Sequence, residues 1–339
     1  MRRRRSSLET VRIQDVARHA GVSPMTVSRA LREPDKVSEA MRRRVEESVS
    51  AIGYLPNRIA GSLSSSRSNV VGLIVPSLRN SLFANTVQGI SDVLRGAGHQ
   101  LMIADSGYSL ADEEAAIAAM LAQRVCALVL HNTRHTARAQ ALIERARVPV
   151  VEIGTLAAAP LDMNVSYSNV AAAKAMTLHL AQRGYRTIGL VTLPLADNDR
   201  SIERRAGYLE ALAELGRDAD PQLMLELPGG IGSGAEAVAR LSALTPHADA
   251  IFFAGDVLAI GAVFECQRRG WDVPDRLAIA SFDDVDTLRD MHPAVTSVRL
   301  PRHEIGRRSA EVLLDRVQGR AQEPVRIDLG FEIVQREST

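Results

Sequence analysis

The sequence predicts a small all-helical head followed by a larger α/β body of two lobes. Three observations carry this. Residues 11–34, VRIQDVARHAGVSPMTVSRALREP, give two short helices around a glycine turn. From Val70 onward, short apolar runs alternate with amphipathic segments, the pattern of parallel sheets flanked by helices. The charge is also divided. Residues 1–68 hold 14 Lys and Arg against 7 Asp and Glu, whereas the remainder holds 27 against 33, although the whole chain sums to only +1. A basic module joined to an acidic one points to a polyanion partner for the first part.

In the head, Ile13, Val16, Ala17 and Ala20 recur at helical spacing and form one apolar face. Gly21 closes that helix, Ser23 is positioned as an N-cap, and Pro24 takes the first helical position, where its missing N–H costs nothing. Val27 and Leu31 face back to the first helix, leaving Met25, Ser28 and Arg29 outward. Such a second helix fits the major groove and reads base edges with its N-terminal residues; a plain helical hairpin is the alternative. A third helix runs from Ser38 to Ile52, with Met41, Val45, Val49 and Ile52 on its apolar face. Arg42, Arg43 and Arg44 lie on other faces, available to phosphates or solvent. Next comes GYLPNRIAGSLSSSRSN, where Asn57 can cap a short helix from Arg58 to about Leu63. Its Gly/Ser-rich composition is a poor helix former, so it folds only against a partner or remains a linker. Arg2 to Arg5 read as a solvated tail, with nonspecific DNA attraction as the alternative.

The body shows candidate strands at 70–76, 99–106, 126–132, 149–154, 187–192, 223–228, 250–255, 277–284 and 295–301. Amphipathic segments at 85–97, 112–123, 170–183, 202–215, 234–244, 257–270 and 302–318 separate most of them. Nine strands are too many for one comfortable sheet. Two lobes with a ligand between them, at the C-terminal strand ends, follow.

A hydrophobic content of 46% supports a sizeable core, and no apolar run reaches eighteen residues, so no membrane span is expected. The basic start MRRRRSSLET is followed by no apolar stretch, so a secretory leader is not expected either. Cys126 and Cys266 each sit in an apolar run, as buried free thiols of a cytoplasmic protein would. Enzyme readings find little. The first strand leads into PSLRNS without a dinucleotide fingerprint, PGGIGSGAEA (228–237) lacks a P-loop ending and reads as a loop capping a helix, and no nucleophile elbow surrounds Ser233. The eight histidines show no metal-ligand spacing, His131 and His135 reading as cleft or surface residues, so no metal or cofactor is expected.

GVSPMTVSRAL followed by YLPNRIAGSL, ahead of such a body, resembles the LacI/GalR family of bacterial transcriptional regulators along essentially the whole chain. The resemblance implies a periplasmic-binding-protein-like body and a homodimer on double-stranded operator DNA, controlled by a small-molecule effector. It places Pro24 and Met25 on operator-choosing positions, and Thr26, Ser28 and Arg29 on phosphate- and base-contacting ones. Asn57 and Ala60 fall in the hinge helix, and Leu63 on the leucine that wedges between bases in the minor groove. It divides the chain into a tail (1–10), head (11–56), hinge (57–69) and body (70–339), with an N-lobe of about 70–167 plus 298–323 and a C-lobe of about 168–297 plus 324–339. Two departures stand out. Arg12 replaces the usual hydroxyl cap of the first helix, a loss of about 1 kcal/mol. Pro24 and Met25 lack strong hydrogen-bonding groups, which shifts base reading toward Arg29.

The runs LHNTRHTARAQALIERARVPVVEI and AIGAVFECQRRG look like the gluconate-utilisation repressors of this family, whose effectors are sugar acids. Arg204, opening RRAGY, falls on the family arginine that points into the cleft, and Arg200 could add a second charge; a solvated face or an ion pair is the alternative for both. Asp283 falls on a position that binds sugar hydroxyls in the family. Asp256 lies in FAGDVLAIG, where Gly255 replaces the family's asparagine. Leu78 to Phe83 should line the other side. A solute-binding protein of the same two-lobed fold is the competing reading, disfavoured by the basic head; a sugar-metabolising enzyme with a DNA-binding head is the third.

Overall fold

The computed structural model describes residues 11–54, 68–320 and 323–339. The chain divides into a head unit, residues 1–68, and a body unit, residues 69–339. Asn57, Ala60 and Leu63 of the expected hinge, and the Arg2–Arg5 tail, lie outside the described residues.

The head contains α1 (Ile13–Ala20), α2 (Pro24–Arg32) and α3 (Glu39–Ile52). Their apolar stripes meet in one small core of Val16, Ala17, Val27, Ala30 and Val45, flanked by Ile13, Leu31, Met41, Val49 and Ile52. Gly21 and Gly53 close α1 and α3 in the left-handed conformation, φ 64° and 65°, which glycine adopts without penalty. Ser23 and Ser38 cap α2 and α3, their hydroxyls accepting from the N–H of Thr26 (3.1 Å) and Met41 (3.4 Å). The expected capping loss at Arg12 is partly offset. The Asp15 carboxylate accepts the Arg12 backbone N–H at 2.9 Å, so half of a capping box forms.

The body holds two six-stranded sheets of matching order. In the N-lobe the order is β2 (Gln100–Asp105), β1 (Val70–Val75), β3 (Ala127–Leu130), β4 (Val150–Glu152), β5 (Met163–Ser166) and β11 (Val325–Asp328). In the C-lobe it is β7 (Met224–Glu226), β6 (Ile188–Thr192), β8 (Ala250–Phe253), β9 (Ala278–Phe282), β10 (Thr296–Arg299) and β12 (Glu332–Val334). All pairings are parallel except β10–β12, which closes the C-lobe edge antiparallel. Central strands such as β3, β8 and β9 are buried throughout, because helices cover both faces.

The N-lobe helices are α4 (Ala84–Gly96), α5 (Leu110–Ala122), α6 (Ala137–Ala146) and α12 (Arg302–Val317). The C-lobe helices are α7 (Asn169–Gln182), α8 (Asp199–Glu214), α9 (Ile231–Ser242), α10 (Asp256–Arg269) and the short α11 (Asp286–Asp290). The chain crosses between lobes three times, after β5, β10 and β11. This corrects the expected C-lobe boundary at 324: Val325–Asp328 pairs with β5, Val325 opposite Met163, and so belongs to the N-lobe. The four-residue run is too short and too evenly half-exposed to declare its lobe from sequence.

The glycine-rich stretch 228–237 also differs from the expected loop. Helix α9 begins at Ile231 and contains Gly232 and Gly234. Gly234 is where α9 meets α10 backbone to backbone; a Cβ there would lie 2.0 Å from the Leu258 carbonyl oxygen. The same device joins α4 to α12, where a Cβ on Gly89 would stand 2.1 Å from the His303 carbonyl. Gly96, at the end of the same helix, faces open space. In urea unfolding, Gly89→Ala should therefore lose roughly 1–3 kcal/mol by overpacking. Gly96→Ala should gain roughly 0.4–1 kcal/mol by restricting the unfolded chain. A shift of the same sign in both variants would contradict the close-contact account.

Candidate functional site

In the head, the exposed N-terminal edge of α2 is the candidate reading surface. Pro24 occupies the first turn and Met25 stands 71% exposed, although a side chain of that type normally finds cover. Thr26 is half-buried, its hydroxyl within 2.9 Å of the capping Ser23 hydroxyl. Ser28 is half-buried and Arg29 exposed, one turn further along the same helix. Val27 and Ala30, buried on the opposite face, fix the rotation of α2 about its axis.

In the body, a cavity of about 580 Å³ lies between the lobes, at the C-terminal strand ends. Arg200, Arg204, Asp256 and Asp283 all line it. From the loop after β1 come Ser77, Arg79, Asn80, Leu82 and Phe83, whereas Leu78 is 61% exposed and is not part of the wall. Tyr108, His131, Tyr167 and Arg302 line it as well. The sequence offered His131 as a cleft or surface residue, and the cleft is where it lies; Tyr108, Tyr167 and Arg302 carried no signal that placed them there. Arg302 begins α12 directly after the second crossing, so only the return of the chain to the N-lobe places it there.

The first turns of α8 span the two lobes. Asp199 accepts the backbone N–H and the hydroxyl of Thr133 in the N-lobe, at 2.9 and 3.0 Å. Arg200 donates through Nη1 to the His131 carbonyl and, at 2.9 Å, to Asn132 Oδ1. Glu203 accepts the Thr155 hydroxyl at 3.4 Å. Arg204 is committed on all sides. Its Nε donates to Asn169 Oδ1 (2.8 Å), Nη1 to the Ala254 carbonyl (2.9 Å) and Nη2 to the Tyr167 hydroxyl (3.4 Å). Its guanidinium stacks on Phe282 at 3.6 Å from the ring centroid. Gly255 gives α10 no side-chain cap, and Arg204 holds the carbonyl of the neighbouring Ala254.

Asp283 is ion-paired with Arg302 through one oxygen and lies 3.6 Å from Arg204 through the other. Its φ of 71° is in the left-handed region, as is that of Tyr108 at 63°. Such conformations cost of order 1 kcal/mol or more and collect at functional sites. Burial and the neighbouring Asp283 carboxylate push Asp256 up to about 6. Burial and Asp199 raise Glu203 to about 7. Burial, reinforced by Arg200 and Arg302, pushes His131 well below the ordinary histidine value, so its imidazole is neutral. Behind this wall lies a buried triad: His135 bonds to Glu113 through Nδ1 (2.8 Å) and to Glu152 through Nε2 (3.1 Å).

The family profile described as bacterial regulatory proteins, lacI family, matches residues 12–57, and that of a periplasmic binding protein-like domain matches residues 177–339. The HTH-type transcriptional regulator GntR of Escherichia coli is 38% identical over 321 residues, spanning 95% of this chain and 96% of that protein. The chain belongs to the LacI family. Members of the family are regulators that bind operator DNA and a small-molecule effector, and this chain is a DNA-binding transcriptional regulator of that kind. Among solved structures, a LacI-family transcriptional regulator from Silicibacter pomeroyi is similar with a TM-score of 0.90 at 30% identity, covering 97% of this chain and 99% of that one. The transcription regulator GntR from Chromobacterium violaceum is similar with a TM-score of 0.75 at 34% identity, covering 79% of this chain and 98% of its own. Among the described residues, no helix is long and apolar enough to cross a membrane.

The buried triad gives a pH prediction. Burial opposes a charge on His135, but the hydrogen bonds and charges of Glu113 and Glu152 outweigh it and raise the imidazole to about 9. A folded value above the unfolded one, near 6.5, contributes stability that is complete below pH 6.5 and lost as pH rises through 9. The urea midpoint of His135→Gln should therefore fall furthest below wild type at pH 6 and approach it by pH 9.5. A gap that stays constant across that range would show that the imidazole is neutral throughout.

Proposed function

We propose that the chain is a homodimeric repressor of sugar-acid utilisation genes, released from a palindromic operator when a sugar acid such as gluconate fills the body cleft. The observation that carries this is the charge of the cavity: Arg79, Arg200, Arg204 and Arg302 face it against only two carboxylates, Asp256 and Asp283. An excess of guanidinium suits a carboxylate ligand, since its planar fork can bind two oxygens at once. Asp256 and Asn80 add groups suited to hydroxyls. The likeness to regulators named GntR agrees with this reading. The cleft binds and releases its ligand without turnover.

One reading helix covers one half-site, so two heads spaced one helical turn apart read a palindrome. On each, Met25 offers apolar contact to thymine methyl groups and Arg29 a fork for guanine or phosphate. The effector prefers the body conformation of lower operator affinity; by linkage the operator then lowers effector affinity by the same factor. Asn57, Ala60 and Leu63 complete the DNA surface, Leu63 as a wedge in the minor groove.

Calorimetric titration with gluconate should give saturable heat while glucose stays silent, and gluconate should release operator DNA in a mobility-shift assay. Heat with a neutral sugar or nucleoside alone would discard the sugar-acid reading and keep the regulator. For the head, Arg29→Ala should weaken operator binding by roughly 1–3 kcal/mol and random duplex by less. An equal loss on both would make Arg29 a phosphate contact.

A further inference from the structure

We propose that Arg200, rather than Arg204, anchors the effector's carboxylate, and that the buried chain Glu152–His135–Glu113–Asn132 holds its guanidinium for that task. The inference deepens the sugar-acid reading of the cleft and rests on it.

Two arginines of α8 line the same cavity, one turn apart, but they differ in what they have left to offer. Arg204 spends Nε, Nη1 and Nη2 on Asn169, Ala254 and Tyr167, and its face on Phe282. It is a strut between the crossing at residues 167–169 and the end of β8. Arg200 directs Nη1 alone to its protein partners: the His131 carbonyl and Asn132, the Asp199 carboxylate at 3.1 Å and the His131 ring at 3.4 Å. Its Nη2 is buried and has no hydrogen-bond partner, the one such side-chain nitrogen among the described residues of the cavity wall. A buried guanidinium nitrogen without an acceptor is costly, and an arriving carboxylate oxygen would relieve that cost. The side chain is only 8% exposed, so water competes weakly for it.

The guanidinium is not free to swing. Asn132 Oδ1 accepts from Arg200 Nη1, while its Nδ2 donates to Glu113 Oε1 at 2.8 Å, which fixes the amide's orientation from both ends. The other Glu113 oxygen meets His135 Nδ1, and His135 Nε2 meets Glu152 Oε1. Glu152 in turn accepts the Leu161 backbone N–H at 2.7 Å, which ties the chain to the N-lobe backbone. Glu113 and Glu152 are each 1% exposed. Two buried carboxylates around one imidazole are an expensive arrangement in a lobe core. They fix the single amide that reaches across to Arg200. Glu113 and His135 are thus positioning residues that never meet the ligand.

The test is calorimetry on the full-length protein with gluconate, galactonate and 2-ketogluconate, and with D-glucitol as the uncharged comparison, thermal melting reporting the fold of each variant. Arg200→Gln should weaken the acids roughly ten- to hundredfold and leave D-glucitol unchanged, the loss of one charge-assisted hydrogen bond. Arg200→Lys, which keeps the charge, should fall between, and serves if the glutamine variant does not fold. Arg204→Lys should weaken acids and D-glucitol alike. Arg200→Gln with acid affinity intact, or Arg204→Lys with loss confined to the acids, overturns the anchor. For the buried chain, Glu113→Gln should cost roughly three- to tenfold in acid affinity alone and nothing further in the Arg200→Gln background. Equal losses in both backgrounds overturn the positioning role. A wild-type protein silent to all three acids refutes the sugar-acid reading, and the anchor with it; a failure seen only in the variants refutes the anchor alone.

Discussion

The body depends on the first turns of α8. Asp199, Arg200 and Arg204 are buried there, and Glu203 lies between them in the same face. Ionised groups out of water are tolerable only when paired and hydrogen-bonded. On this helix the partners come from elsewhere: Thr133, His131, Asn132 and Thr155 from the N-lobe, and Asn169 and Ala254 from the crossing and the end of β8. Separating the lobes would exchange these buried contacts for water, so the arrangement of the lobes is tied to a defined set of hydrogen bonds. A cleft with discrete states is what a small molecule needs in order to shift an equilibrium, because a ligand acts only through its differential affinity.

The same economy explains the rest of the wall. Asp283 would be an intolerable buried anion without Arg302 and Arg204 around it. Arg302 reaches it because the chain returns to the N-lobe just before α12. The sheets carry the C-terminal strand ends to one cleft, and the glycine contacts between paired helices set how closely the covering layers approach. The head solves a smaller problem with the same means. Its core is a handful of apolar side chains, so its caps at Ser23 and Ser38 and its left-handed glycines contribute a large share of its order.

Much of this was legible in the residues. Helical spacing at Ile13, Val16, Ala17 and Ala20, with Gly21, Ser23 and Pro24 in order, specifies α1, the turn and α2 because caps and periodicity are local. The apolar runs of β1, β3, β8 and β9 declare themselves because strands buried on both faces are built almost wholly of apolar residues. Arg200, Arg204, Asp256 and Asp283 were placed in the cleft through the family resemblance, and all four line it. The short strands β5, β11 and β12 were not legible, since polar residues interrupt them and no continuous apolar run marks them off from a loop.

The sequence by itself determined the helical head, its outward edge from Pro24 to Arg29 and the alternating body. Those depend on interactions within a few residues of chain. Tertiary structure alone decided which lobe claims Val325–Asp328, that Arg302 and Tyr167 join the cleft, and which of two arginines on one helix face is already spent. These are set by contacts between residues about twenty to more than a hundred positions apart, such as Asp283 with Arg302, Arg204 with Asn169 and Ala254, or Val325 with Met163. No local pattern records the partner of a buried charge; only the assembled fold brings the two together.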